Sequence, residues 1–265
     1  EYLAAMAEYE ANKPNNPETI AILKGLAAKS VTVLGTANIG QSGDEKLEEH
    51  LGDNSVRQVR KGEVLQLRIN RNANYGADST GILFNIQNTK TPEKKWSSQE
   101  LVELMDSDSP LIEVRGATWA FLDPTDGPKY LITKKLNIGG HAALKGWASG
   151  ENPSVYANTG GTTIAAWTSL PPKTLFTHPG PGEDVAISWM WPEDGEYAIA
   201  GHVLDAHAGA GDGVTFFLEH FQSAEFGEGL AALGEKNGNL TPPTPVTPST
   251  PWSPMTPRTP KDTED

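Results

Sequence analysis

The sequence predicts a mainly β protein: an antiparallel β-sandwich of jelly-roll kind, with short N-terminal helices and an extended Pro/Thr-rich C-terminal tail. Three observations predict it. Apolar and polar residues alternate over many short segments, turns rich in glycine and proline separate those segments, and long helices between them are missing. A parallel α/β sheet would need such crossover helices. With 265 residues and 37% hydrophobic content, the chain can bury a substantial core.

Residues 1–30, "EYLAAMAEYEANKPNNPETIAILKGLAAKS", read as two short helices split by "NKPNNP". Leu3, Met6 and Tyr9 fall at helical spacing, and so do Ile20, Leu23 and Leu26. Their apolar stripes are expected to pack on the chain's own domain or on a neighbour. From Val31 the period changes to two. Leu65, Leu67 and Ile69 share a face opposite Gln66, Arg68 and Asn70, and Ile82, Phe84 and Ile86 repeat the pattern. The loop "RNANYGADST" joins these two segments, which predicts an antiparallel pair with a long connection.

Ser97 and Glu100 stand at capping-box spacing and predict a short helix reaching Asp106. Strands are then expected at Leu111 to Arg115, Thr118 to Leu122, Lys129 to Thr133, Thr163 to Thr168, Val185 to Trp191, Glu196 to Leu204 and Val214 to His220. Turn chemistry such as "DPTDGP", "SGENP", "HPGPGE" and "PEDGE" separates them. Val185, Ile187, Trp189 and Trp191 share one face, as do Tyr197, Ile199 and Val203 with Gly201 between them.

The segments "RINRNANYGADSTGILFNI" and "HVLDAHAGAGDGVTFFLEH" follow the same order of strand, small polar loop and strand. Internal duplication and convergence on hairpin chemistry both account for this. The expected organisation is a helical segment (1–30), a first β-rich part (31–108), a second sandwich part (109–238) and a tail (239–265). In the tail, Thr241 to Pro260 holds eight prolines and six threonines in twenty residues, a composition that builds no core. As polyproline II it would extend roughly 60 Å, at about 3.1 Å per residue. It is expected to dock along a partner subunit, with Trp252 and Met255 as apolar anchors.

The net charge of -13 and the lack of a basic patch argue against nucleic acid and anionic membrane as partners. No stretch approaches the ~20 apolar residues that span a bilayer. The absence of cysteine excludes disulfides, thiolate catalysis, iron–sulfur ligation and Cys-x-x-Cys-His haem attachment. The chain starts at Glu1 and not at methionine, as a processed product or an excised piece would.

Candidate sites follow from residue types. His202, Asp205, His207 and Asp212 have the elements of a metal site, but "DAHAGAGDG" places alanine and glycine where an EF-hand needs oxygen ligands, and His-Glu-x-x-His is absent. An ordinary loop is expected, in which Asp205 and Asp212 accept backbone N–H bonds. Any ion held by Asp205, His207 and Asp212 is expected to be calcium rather than zinc. No Gly-x-Ser-x-Gly elbow, Walker loop or dinucleotide fingerprint is present. Exposed indoles stack on sugar faces. Trp147, in a loop-like setting beside Glu151 and Asn152, and Trp167, just before a turn, are the candidate platforms.

The stretch Ser169 to His220 carries "HPGPG" ahead of a tryptophan-bearing strand, "PEDGEY" at the next turn, then "GDGV"; "VRKGEVLQLRINRNANYGADSTGILFNI" accompanies it. These segments, about a third of the chain, resemble a β-sandwich module of large exported planctomycete-type proteins that also carry cytochrome c domains. The resemblance implies an exported, periplasmic or extracellular origin and a sandwich that binds carbohydrate or neighbouring domains. It implies no catalytic residues, and this chain departs from the family's proteins in having no haem motif. The expected function is a non-catalytic docking subunit of an exported multi-protein assembly. The alternatives are a carbohydrate-binding module, or a metal-dependent hydrolase using the His202 to Asp212 loop.

Overall fold

The structure, a computed structural model, describes residues 13–207 and 209–235. The expected first helix, and the tail with Trp252 and Met255, lie outside the described residues. In chain order the strands are β1 (Val31–Ile39), β2 (Asp44–Lys46), β3 (Val56–Val59), β4 (Val64–Arg71), β5 (Thr80–Asn88), β6 (Lys95–Ser97), β7 (Leu111–Val114), β8 (Ala117–Asp123) and β9 (Lys129–Tyr130). There follow β10 (Thr133–Lys135), β11 (Leu144–Ala148), β12 (Ser154–Asn158), β13 (Ile164–Ala165), β14 (Ser169–Leu170), β15 (Thr174–His178), β16 (Val185–Met190), β17 (Gly195–Asp205) and β18 (Val214–Phe221). The α-helices among the described residues are α1 (Pro17–Ser30), α2 (Leu47–Leu51), α3 (Gln99–Glu103) and α4 (Ala224–Glu235).

Two antiparallel sheets pack face to face. One runs β1-β18-β4-β16-β8-β7 with β9 on β8; the other runs β10-β11-β12-β15-β5-β17-β2, with β3 on β17 and β6 on β5. The period-two pattern explains the packing. Leu65, Leu67 and Ile69 of β4, with Val185, Ile187 and Trp189 of β16, meet Ile82, Phe84 and Ile86 of β5 and Tyr197, Ile199 and Val203 of β17 in one intersheet core. At its centre Trp189 contacts Trp96, Trp119, Trp191 and Tyr197, with ring centroids 5.2–6.3 Å apart. Tilted and edge-on pairs of this kind contribute about 0.5–1.5 kcal/mol each beyond the area they bury.

The outer face of the first sheet is covered as well. Ala186 and Met190 of β16 lie beneath Leu23 of α1 and Phe226, Leu230 and Leu233 of α4. That second apolar layer is why β16 is buried along its whole length. Asn16 starts α1, its side chain accepting from the backbone N–H groups of Glu18 (3.0 Å) and Thr19 (3.1 Å). Among the described residues no helix is long and apolar enough to cross a membrane.

Several expectations are corrected. β4 and β5 do not pair with each other: β4 lies between β18 and β16, while β5 lies in the opposite sheet between β15 and β17. β17 and β18 are likewise in different sheets, so both expected hairpins are crossings between sheets. Each sheet also draws strands from both sides of residue 108, and the division at that point runs through the whole sandwich. The capping box does not form. Ser98 precedes α3 and its hydroxyl accepts from Phe84 N at 3.0 Å, while Glu100 pairs with Arg115.

Strands β11, β12 and β15 are buried on both faces and so show little alternation in the sequence. Helix α4 was hidden by its glycines, which lower helix propensity. Those glycines serve packing: a Cβ on Gly227 would stand 1.9 Å from the Gly62 carbonyl oxygen, so only glycine lets the helix lie this close to the turn before β4.

Candidate functional site

On the outer face of the second sheet the short β13–β14 hairpin buries Leu144, Tyr156 and Phe176 against Leu170. Beside the hairpin opens a cleft of about 400 Å³, lined by Lys135, Tyr156, Trp167 and His178, with Glu151 and Asn152 among its polar groups. Tyr156 projects from β12 to the outside, where it stacks on Phe176 of β15 (5.3 Å, 20°). Trp167, in the bend between β13 and β14, meets Tyr156 edge-on at 5.6 Å and 65°.

One hydroxyl fixes both rings. Tyr156 Oη lies 2.9 Å and Trp167 Nε1 3.0 Å from Ser79 Oγ, and the indole N–H can only donate. Burial holds the Tyr156 hydroxyl well above the usual tyrosine range, so it stays protonated and serves as a hydrogen-bonding group. Trp167 is 41% exposed and presents an indole surface to the solvent. His178 places Nδ1 2.8 Å from the Pro179 carbonyl, which can only accept, so Nδ1 carries the proton and Nε2 has a free lone pair. Burial lowers its pKa, and His207 nearby lowers it further.

The two candidate tryptophans both border the cleft but differ in exposure. Trp147 is not in a loop: it sits in β11 opposite Val155, only 4% exposed and packed in the intersheet core. Trp167 keeps the position expected of a platform. Tyr156, Ser79 and His178 were not singled out in the sequence. "SVYAN" has no alternation that would mark Tyr156, and nothing local marks Ser79 as the partner of residues about 80 positions away.

The loop after β17 lies against the loop after β4. Asp205 accepts from His207 N (2.8 Å) and Ser42 N (2.7 Å). Asp212 accepts from Ala73 N (2.8 Å) and Asn74 N (3.3 Å). His202 Nδ1 is 3.1 Å from Asp44 Oδ1, and His207 Nδ1 is buried without a partner. Among the described residues, no three His, Asp or Glu side chains form a group that could hold a metal ion. The crossing loops enclose a residue the sequence did not flag. Asp78 is 2% exposed and neither carboxylate oxygen has a hydrogen-bond partner.

Comparison with protein-family models, with curated proteins and with solved structures finds no match to this chain.

Proposed function

We propose that the sandwich is a non-catalytic binding module that takes a carbohydrate in the Trp167 cleft. The observation that carries this reading is the half-exposed indole of Trp167, held by Ser79 at the mouth of a mostly apolar cleft that carries a few polar groups. The C–H face of a pyranose ring stacks on an indole, while its hydroxyls need donors and acceptors of the kind supplied by Lys135, Glu151, Asn152 and His178. A cleft of about 400 Å³ lies at the small end of ligand pockets and suits one or two sugar rings. The protein's net charge of -13 favours neutral over anionic sugars. A glycan array read with the parent protein and Trp167→Ala tests the proposal. Neutral glycans are expected to bind the parent and to lose tenfold or more in affinity to the variant. Equal binding by both, or none by the parent, refutes it.

A second reading, a docking component of an exported assembly, is favoured by a different surface. β1 is the terminal strand of its sheet and leaves Val31 and Val33 exposed, at 39% and 50%. A terminal strand with exposed apolar side chains is a template for pairing with another chain, and here the Val31–Val33 stretch offers it, since beyond it Asn54 Nδ2 donates to Leu34 O (3.1 Å). Co-purification of the full chain with its neighbours, compared with Val33→Lys, tests this reading. Unchanged stoichiometry in the variant refutes it.

A further inference from the structure

We propose that the two loops crossing between the sheets hold one calcium ion, bound through the Asp78 carboxylate and the backbone carbonyls of Gly76 and Ala77. The geometry begins at Gly211, whose φ of +78° turns the β17–β18 loop toward the β4–β5 loop. At the place where a Cβ of residue 211 would stand, three oxygens converge: Gly76 O at 3.0 Å, Asp78 Oδ1 at 3.1 Å and Ala77 O at 3.3 Å. Three successive residues thus bring their oxygens close together beside one face of Gly211, where any side chain would press on them.

Charge argues the same way. A buried carboxylate with no donor for either oxygen is costly unless a proton or a cation compensates it. Burial, together with Asp212 and then Asp205, pushes the Asp78 pKa up to about 7. Arg71 acts in the opposite direction, but its guanidinium donates to the Ala73 carbonyl and the carboxylate oxygens stay unpaired. The negative surroundings that disfavour an isolated Asp78 anion are those that attract a divalent cation.

The donors select the ion. Carboxylate and carbonyl oxygens are hard ligands, which suit calcium and not zinc, and an irregular loop with waters completing the shell suits calcium better than the strict octahedron of magnesium. Asp205 and Asp212 contribute field rather than side-chain chelation, since both engage backbone N–H groups. Ser79, which holds Tyr156 and Trp167, is the next residue after Asp78. An ion at Asp78 therefore fixes the platform of the cleft from behind.

The test needs no sugar, so its outcome is independent of the carbohydrate reading. The full chain, freed of metal with EDTA, is titrated with calcium, magnesium or zinc while its thermal unfolding midpoint and its bound metal are measured. Calcium is expected to raise the midpoint by several degrees, saturably, with about one ion per chain; magnesium has a smaller effect. Asp78→Asn, checked for native tryptophan fluorescence, abolishes the calcium response. Terbium luminescence sensitised by the nearby aromatic rings, and displaced by calcium, gives a readout on the parent chain alone. The proposal is overturned if calcium neither shifts the midpoint nor displaces terbium, if Asp78→Asn responds as the parent does, or if zinc binds there in calcium's place.

Discussion

Replacing Arg68 by methionine should cost the protein about 3 kcal/mol, although Arg68 lies outside the intersheet core. Its guanidinium, on the outer face of β4, reaches Asp184 and Glu219, each at 2.8 Å, and lies 4.0 Å above the Phe217 ring. Each carboxylate is held from a second side, Glu219 by Gln66 Nε2 (2.9 Å) and Asp184 by Asn70 Nδ2 (2.6 Å). Both are largely buried, Glu219 at 9% and Asp184 at 16% side-chain exposure, so they depend on the guanidinium for compensation. Hydrogen bonds and charge from Glu219, then Asp184, raise the Arg68 pKa against the opposing effect of burial.

Removing one partner of a buried pair costs about 3–5 kcal/mol, and the partial exposure of Arg68 (22%) places this case near the lower end. Urea unfolding followed by the fluorescence of the buried tryptophans measures it. At about 1–3 kcal/mol per molar urea, the midpoint should fall by about 1–3 M. Glu219→Gln in the Arg68→Met background should recover part of the loss, because a neutral amide no longer needs the cation; the double-mutant coupling should be about 1–3 kcal/mol. A loss under about 1 kcal/mol in the single variant, or strict additivity in the double, would refute the reasoning.

Gly227→Ala should destabilise by about 1–3 kcal/mol despite the better helix propensity of alanine, because its Cβ meets the Gly62 carbonyl at 1.9 Å; a raised melting temperature would count against the close approach of α4. Trp147→Ala should cost about 3–5 kcal/mol as a buried large-to-small change, while Trp167→Ala costs about 1–2 through one hydrogen bond and one ring contact; equal losses by calorimetry would contradict the assignment of one to the core and the other to the cleft. His178, whose pKa burial lowers, binds fewer protons folded than unfolded just below pH 6.5. Its contribution is present above that pH and lost as pH falls through the folded value, so His178→Gln should flatten the decline of stability on mild acidification. Parallel curves for parent and variant would refute this.

The sequence by itself determined which faces are apolar. Alternation is local, so Leu65, Leu67 and Ile69, or Val185, Ile187 and Trp189, point to a common core whatever strands flank them. It also determined the mainly β class, because turn residues at short intervals leave no length for crossover helices. It did not determine pairing. A strand's pattern says nothing of its neighbour, and the polar glycine loops after β4 and β17 fit a hairpin as well as they fit a crossing from one sheet to the other. Strands β11, β12 and β15 lost their period once β13–β14 covered the outer face near Tyr156 and Phe176. Of the cleft, Trp167 was legible as an aromatic near a turn, but exposure separates it from Trp147 and belongs to the packed molecule. Asp78 lay furthest from reach. Its neighbours in the chain mark only a loop, and its two unpaired oxygens exist because a second loop, more than a hundred residues later, closes over it. Periodicity is set within a few residues of chain; register, exposure and the electrostatics of a buried carboxylate are set by contacts that only the folded topology brings together.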